Sequence, residues 1–375
     1  MKDLMSKLAH QHLFFACGLS ILFLTPDLHA CTRAVLIGSD NTVITGRSMD
    51  WEEDMHSDLW LMPRGITRTG EAGANSPSWT ATYGSVVTSV YNLASADGMN
   101  EKGLVMNMLY LAESDYGQPA ANQVPLSVSL WGQYALDNFA TVSEAVTEMS
   151  AKPFHIVAPK LPNGSASTVH LSLSDPSGDS AIFEYVKGEL VVHHGKEYQV
   201  MTNSPIYSKQ LALNEYWQSI GGTVFLPGTS RAADRFARTS FYIGAVPKQI
   251  AANFISAVPE HSFNYQAVAE VLSIMRAVSV PLGITTPNEP NIASTLWRTV
   301  ADQKNLIYYF DSSTRANTFW VSLAKLNFKS GTPVQRLTLS ASNVYAGEVA
   351  DKFKTAKPFQ FLGSTDLINS STFGK

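Results

Sequence analysis

Hydrophobic and polar residues along this chain switch between a period near two and a period near 3.6, and the switches mark its elements. Thr32-Arg33-Ala34-Val35-Leu36-Ile37 reads as a strand that starts abruptly, Ser39-Asp40-Asn41 as a turn, and Thr42 to Thr45 as the returning arm of a hairpin. A second hairpin is expected over 181–193, with Lys187-Gly188-Glu189 at its turn. An apolar strand runs over 104–109 and ends at Tyr110, and later strands fall at 306–310 and 318–323. Helical spacing predicts helices over 125–139, 141–150, 207–217, 230–242 and 263–276. Thr141 followed by Glu144 predicts a capping box at the second of these. Stretches 63–78, 112–124 and 282–293 are rich in Gly, Pro and Asn and read as loops at the rim of a site. No internal repeat or long linker interrupts this order. The pattern therefore implies one α+β domain over 31–375.

The N-terminal thirty residues follow a different rule. Lys2 and Lys7 precede an apolar run from Leu13 to Leu24, which Thr25-Pro26 breaks before the small residue Ala30. The run is shorter than the about 20 residues that a membrane-spanning helix needs. It reads as a signal peptide over 1–30, removed after Ala30, which implies export and no membrane insertion of the mature chain. The whole chain has 375 residues, 45% hydrophobic and 15% charged, with net charge -4. That composition lacks both a disorder signature and the basic excess of a nucleic-acid binder, so no nucleic-acid partner is expected.

Cysteine usage then changes the picture. Of two cysteines, Cys17 lies in the leader, so Cys31 is left alone in an oxidising compartment where cysteines usually pair. Two readings follow. Leu28-His29-Ala30-Cys31 is similar to a lipoprotein box, in which the cysteine is acylated and the mature chain becomes a tethered ligand-binding protein. His29 fits such a box poorly, and a strand begins where a polar tether is wanted. The alternative uses an N-terminal thiol. An α-amino group of pKa about 7.7–8.0 sits on the same residue and can take the thiol proton, then deliver it to a leaving amine. No histidine, metal or cofactor is needed. The nine histidines indeed form no triad or metal-ligand spacing, and His193-His194 points to opposite faces of a strand.

Cys31-Thr32-Arg33, followed by Gly46-Arg47-Ser48-Met49-Asp50-Trp51, resembles the opening of the choloylglycine hydrolase family. These N-terminal nucleophile hydrolases include bile salt hydrolases, penicillin V acylases and relatives that cleave acyl-homoserine lactones. The family places an arginine and an aspartate sixteen and nineteen residues after its cysteine, where Arg47 and Asp50 stand here. Asp97-Gly98-Met99-Asn100-Glu101-Lys102-Gly103-Leu104 is similar to its N-E-x-G-L stretch, and Thr202-Asn203-Ser204-Pro205 to its T-N-x-P. Leu226-Pro227-Gly228 and Arg235-Phe236-Ala237-Arg238 resemble its L-P-G and R-F-x-R. The stretch before Asn203 and the interval to Arg235 are shorter than in Gram-positive members, where a family segment helps tetramer assembly. Together with the leader, this points to the Gram-negative branch and a periplasmic location.

The resemblance implies a four-layer αββα sandwich and hydrolysis of a linear amide. Cys31 would be the nucleophile, Arg47 its electrostatic partner, and Asp50 the group that orients the α-amine. Asn203 and the backbone N–H of Tyr110 would hold the oxyanion. Arg235 is also carried over, although Arg231, Arg235 and Arg238 by themselves read as a solvated helix face. Tyr110 occupies a position where penicillin V acylases carry tyrosine and bile salt hydrolases asparagine. Penicillin V-like amides and acyl-homoserine lactones are therefore the expected substrates, with conjugated bile salts the alternative; the resemblance points to a homotetramer, but the shortened assembly segment leaves the oligomeric state open. Trp51, Met55, Leu59, Trp60 and Met62 crowd the region after Asp50, mostly as core, with some expected to line an acyl pocket.

Overall fold

The computed structural model describes residues 31–120, 123–285, 293–340 and 342–363. The signal-peptide expectation for 1–30 and part of the 282–293 rim lie outside the described residues. Thr32–Ile37 (β1) and Val43–Trp51 (β2) form the first hairpin. Asp40 and Asn41 both take positive φ at its turn, the conformation of a type I′ connection and one that these short polar residues tolerate. Lys187 and Gly188 do the same between the strands Ser180–Val186 and Glu189–His194.

Two sheets carry the molecule. The seven-stranded sheet runs in the order Val200–Met201, β1, β2, Ser294–Asp302, Ile307–Ser312, Thr318–Ser322, Gly347–Glu348. The nine-stranded sheet begins Glu189–His194, Ser180–Val186, Val169–Ser174, Val105–Tyr110, Ala94–Asn100, Ser85–Val90. It continues through Leu59–Met62 (β3), Gln335–Leu337 and Lys354–Thr355. Five α-helices lie among the described residues: Val128–Asn138 (α1), Val142–Ala151 (α2), Tyr207–Ile220 (α3), Ala232–Ala245 (α4) and Phe263–Ala277 (α5). α4 and α5 pack on the seven-stranded sheet, and α1 and α2 on the nine-stranded one. The result is an αββα sandwich.

Glycines set the spacing of the outer layers. A Cβ at Gly46 would lie 2.5 Å from the Val271 side chain of α5, and one at Gly132 of α1 would lie 2.6 Å from the Met106 sulfur. Polar bolts join the two sheets internally. Thr45 on β2 pairs with Ser174 at 2.8 Å, and Arg33 on β1 donates to the Leu173 carbonyl at 3.1 Å and to Ser180 at 2.9 Å. A further bolt links Tyr308 to Asp97, which also accepts from Asn107 at 2.6 Å.

Several expected boundaries move. The helix expected over 125–139 starts only at Val128, because Pro125–Ser127 is a short strand paired with His155–Val157 and Ser127 caps the helix. The capping box is present, with the Thr141 and Glu144 side chains each bonding the other's backbone. Among the strands with no expectation of their own are Ser85–Val90, Ala94–Asn100, Val169–Ser174 and Ser294–Asp302.

Candidate active site

Strand alternation decides what meets at the start of the first hairpin. Successive side chains on a strand point to opposite faces. Arg33 and Thr45 reach the other sheet, so Cys31, Arg47, Met49 and Trp51, in phase with them, face the gap between the sheets. Thr32, Gly46, Ser48 and Asp50 face α4 and α5. The sixteen- and nineteen-residue offsets thus place Arg47 and Asp50 on opposite sides of the cysteine.

Cys31 is buried, and its Sγ lies 3.8 Å from an Arg47 Nη, 3.7 Å from the Asp50 carbonyl and 3.8 Å from the Met49 sulfur. Burial pushes the thiol's pKa up, the Arg47 charge pulls it down, and the Asp50 carboxyl raises it again. Arg47 donates to the Met108 carbonyl at 2.9 Å and lies 4.6 Å over the Trp297 ring, while its Nε and other Nη are buried without a hydrogen-bond partner. That leaves a guanidinium with spare donors beside the sulfur. The Asp50 carboxyl accepts from Thr295, and from Ser48 at 3.4 Å. Burial raises its pKa from 3.8 to about 6, against the nearby Arg235 charge, which lowers it.

Arg235 ties these parts together. Expected on pattern alone to belong to a solvated stripe, it is fully buried, because α4 turns this one position onto the end of β1. Arg231 remains exposed, and half-buried Arg238 donates to the Pro227 and Thr229 carbonyls. One Nη of Arg235 donates at 2.5 Å to both the Cys31 carbonyl and the Thr32 hydroxyl, and the other at 2.9 Å to the Asn203 side-chain oxygen. With that oxygen occupied, the Asn203 amide orientation is fixed: its NH₂ donates to the Tyr110 carbonyl at 2.7 Å and keeps a second N–H. The structure therefore brings Cys31, Arg47, Asp50, Asn203 and Arg235 into one cluster, with Tyr110 at its border.

An apolar cavity, about 640 Å³ of empty space including its mouth, opens at the thiol. Trp51 and Met55 line it, together with Tyr110, whose ring meets Trp51 edge-on at 6.1 Å. Leu59, Trp60 and Met62 do not. β3 buries Leu59 in the core between the sheets and turns Trp60 and Met62 to the α1 side of its sheet. Sequence reasoning missed Met49, Met108, Val90, Ala96, Val128 and Leu362, which also line the cavity, and Thr32, Thr295 and Trp297 around the polar cluster. The alternation of β2 placed Met49 beside Arg47 and Trp51, a signal available in advance. Thr32 directly follows Cys31; the rest come from other segments and left none. Among the described residues no group of three or more His, Cys, Asp or Glu is arranged to hold a metal, and no helix is long and apolar enough to cross a membrane.

Comparison with known proteins gives a consistent picture. The family described as linear amide C–N hydrolases, choloylglycine hydrolase family, matches residues 31–336. Penicillin V acylase of Pectobacterium atrosepticum is 46% identical over 363 residues, 92% of this chain and 96% of that protein. The solved penicillin V acylase from Agrobacterium tumefaciens superposes with a TM-score of 0.80 at 50% identity, over 89% of this chain and all of that one. A variant of conjugated bile acid hydrolase from Clostridium perfringens shares the fold with a TM-score of 0.68 at 24% identity, over 84% of this chain and 99% of that one.

Proposed function

Since the chain belongs to the choloylglycine hydrolase family of linear amide C–N hydrolases, we propose that its nucleophile is the thiol of an N-terminal Cys31 and that penicillin V-like amides and acyl-homoserine lactones are its substrates. The observation that carries this reading is the position of Cys31 Sγ, at the end of an apolar cavity and 3.8 Å from a buried guanidinium with spare donors. Arg47's fixed charge favours the thiolate. The match to the family begins at residue 31, in keeping with cleavage after Ala30, and the lysines and apolar run of 1–30 are what support export to the periplasm.

In the reaction, the α-amino group of Cys31 takes the thiol proton and Sγ attacks the amide carbonyl carbon. The remaining N–H of Asn203 stabilises the oxyanion, joined by the Tyr110 backbone N–H that the family pattern supplies. The carbon–nitrogen bond breaks as the α-ammonium protonates the leaving amine, giving a thioester and a free amine. Water, deprotonated by the same amine, then releases the acid and restores the thiol. Asp50 holds the ammonium. Arg235 positions Asn203 and the Cys31 backbone without touching substrate. The apolar walls suit a phenoxyacetyl or fatty acyl group, and the named activity of the 46%-identical relative favours the former.

Conjugated bile salts remain the alternative within the same chemistry. A panel of penicillin V, an acyl-homoserine lactone and a glycine-conjugated bile salt separates these readings. Turnover of the first two that disappears in Cys31→Ser supports the proposal. Sole turnover of the bile salt would replace the substrate assignment, and turnover surviving Cys31→Ser would overturn the mechanism. A tethered lipoprotein would instead carry lipid on Cys31 and turn over none of them.

A further inference from the structure

Leu362 belongs to the acyl cavity although it lies beyond residue 336, where the family match ends. The strap leading to it, after the strand Lys354–Thr355, is fastened on two sides. On one side Phe359 and Phe361 enter the core beneath the nine-stranded sheet. Phe359 meets Trp60 edge-on at 4.9 Å, and Arg68 lies 5.2 Å over Phe361. On the other side the backbone of Leu362 is pinned three times. Its N–H donates to the Leu93 carbonyl at 2.8 Å. Its carbonyl accepts from the Ser127 hydroxyl at 2.6 Å and from the Ser129 hydroxyl at 2.9 Å. Both hydroxyls are buried, and Ser127 is the N-cap of α1, so the strap is fixed to a helix terminus that itself borders the cavity.

Two hydroxyls on one carbonyl hold this backbone far more rigidly than an apolar contact alone would. The side chain that follows from that backbone is 6% exposed and shares the cavity wall with Val90, Ala94, Val128 and Ser129. Small residues, Ser95, Ala96, Ala166 and Ser167, share the remaining lining with the larger Met49, Trp51, Met55, Met108, Tyr110 and Leu161, so Leu362 is one of several side chains with the bulk to stop an acyl chain, and its backbone is held by two buried hydroxyls. We propose that Leu362, held by Ser127 and Ser129, is a specificity-determining residue that limits the length of the acyl group seated against Cys31. This assignment concerns the same site as the amide-hydrolase reading above and takes its ligand class, an acyl group, from it.

A test that does not depend on turnover separates the two. Straight-chain chloromethyl ketones of increasing length alkylate an accessible thiol, the sulfur forming a bond to carbon as chloride leaves. Labelling of Cys31 is followed by intact mass for wild type, Leu362→Ala, Leu362→Phe and the Ser127→Ala/Ser129→Ala double variant, each checked for an unchanged far-UV spectrum. Hydrolysis of amides carrying the same acyl groups is measured alongside. The expected result is a fall in wild-type labelling beyond a limiting length, which Leu362→Ala moves to longer chains by about tenfold in rate. Leu362→Phe moves it to shorter chains, and the double serine variant blurs it. Superimposable length profiles for wild type and Leu362→Ala would overturn the assignment, as would a shift in Leu362→Ala that is uniform across all lengths. Shifted labelling profiles without wild-type hydrolysis of any amide would uphold the role of Leu362 and overturn the proposed function.

Discussion

Arg235 is the residue on which the rest of the cluster depends, since its fork spans Cys31, Thr32 and Asn203. Lysine keeps the charge but not that planar geometry. Arg235→Lys should therefore lower kcat about 100-fold with little change in KM, because a donor displaced by an ångström loses that much. A raised KM with unchanged kcat would argue for a binding role instead. Asn203→Ala should lower kcat about 100- to 1000-fold by removing the proposed oxyanion donor. A loss under tenfold in steady-state assays would take Asn203 out of that role. Asp50 makes a prediction about stability. In chain still joined to residue 30, its pKa rises from 3.8 to about 6, so the folded state holds that proton more tightly than the unfolded one. Between those values stability should fall as pH rises, and Asp50→Asn should lack that fall. Urea unfolding of both unprocessed proteins across this window checks it; parallel pH slopes would contradict it. Of the residue roles, the offsets of Arg47 and Asp50 were legible through the family resemblance. The burial of Arg235 was not, because a charged stripe looks the same in sequence whether one member is buried or none.

At the scale of elements, local chemistry and legibility go together. The hairpin at Ser39-Asp40-Asn41 and the capping box at Thr141 were readable because turn and cap residues act within a few positions. Thr141→Ala should cost about 1 kcal/mol in denaturant unfolding, and an unchanged midpoint would mean that the cap contributes nothing. Strands such as Ser294–Asp302 escaped notice because they are central, nearly buried on both faces and carry Thr, Arg and Asp for specific partners: Thr295 holds Asp50, and Arg298 meets Asp311 at 3.1 Å. Such strands have no amphipathic period to read. Layer contacts were equally hidden. Gly46 looked like any strand glycine, yet α5 lies against it. Gly46→Val should destabilise the fold by roughly 1–3 kcal/mol through overpacking. A neutral effect in the same unfolding assay would show that α5 can shift freely.

At the scale of the whole molecule, the α+β class followed from the mixture of periods, but the pairing of a seven-stranded with a nine-stranded sheet did not. Sheet order depends on contacts between residues hundreds of positions apart, such as Arg47 beside Thr299, and no local pattern encodes them. The resemblance anchored at Cys31 supplied the topology. The apolar cavity is likewise a product of the assembled molecule, drawing Met49 from one sheet, Met108 from the other, Val128 from a helix and Leu362 from the strap after Lys354–Thr355. The proposed chemistry nevertheless rests on one covalent event, at Cys31. The most direct test is an intact-mass spectrum of the active protein, quenched during turnover of penicillin V. The account predicts a chain beginning at Cys31 that carries a transient phenoxyacetyl group on that residue. An active chain that begins before Cys31, a lipid on its sulfur, or an acyl group at any other residue would contradict it.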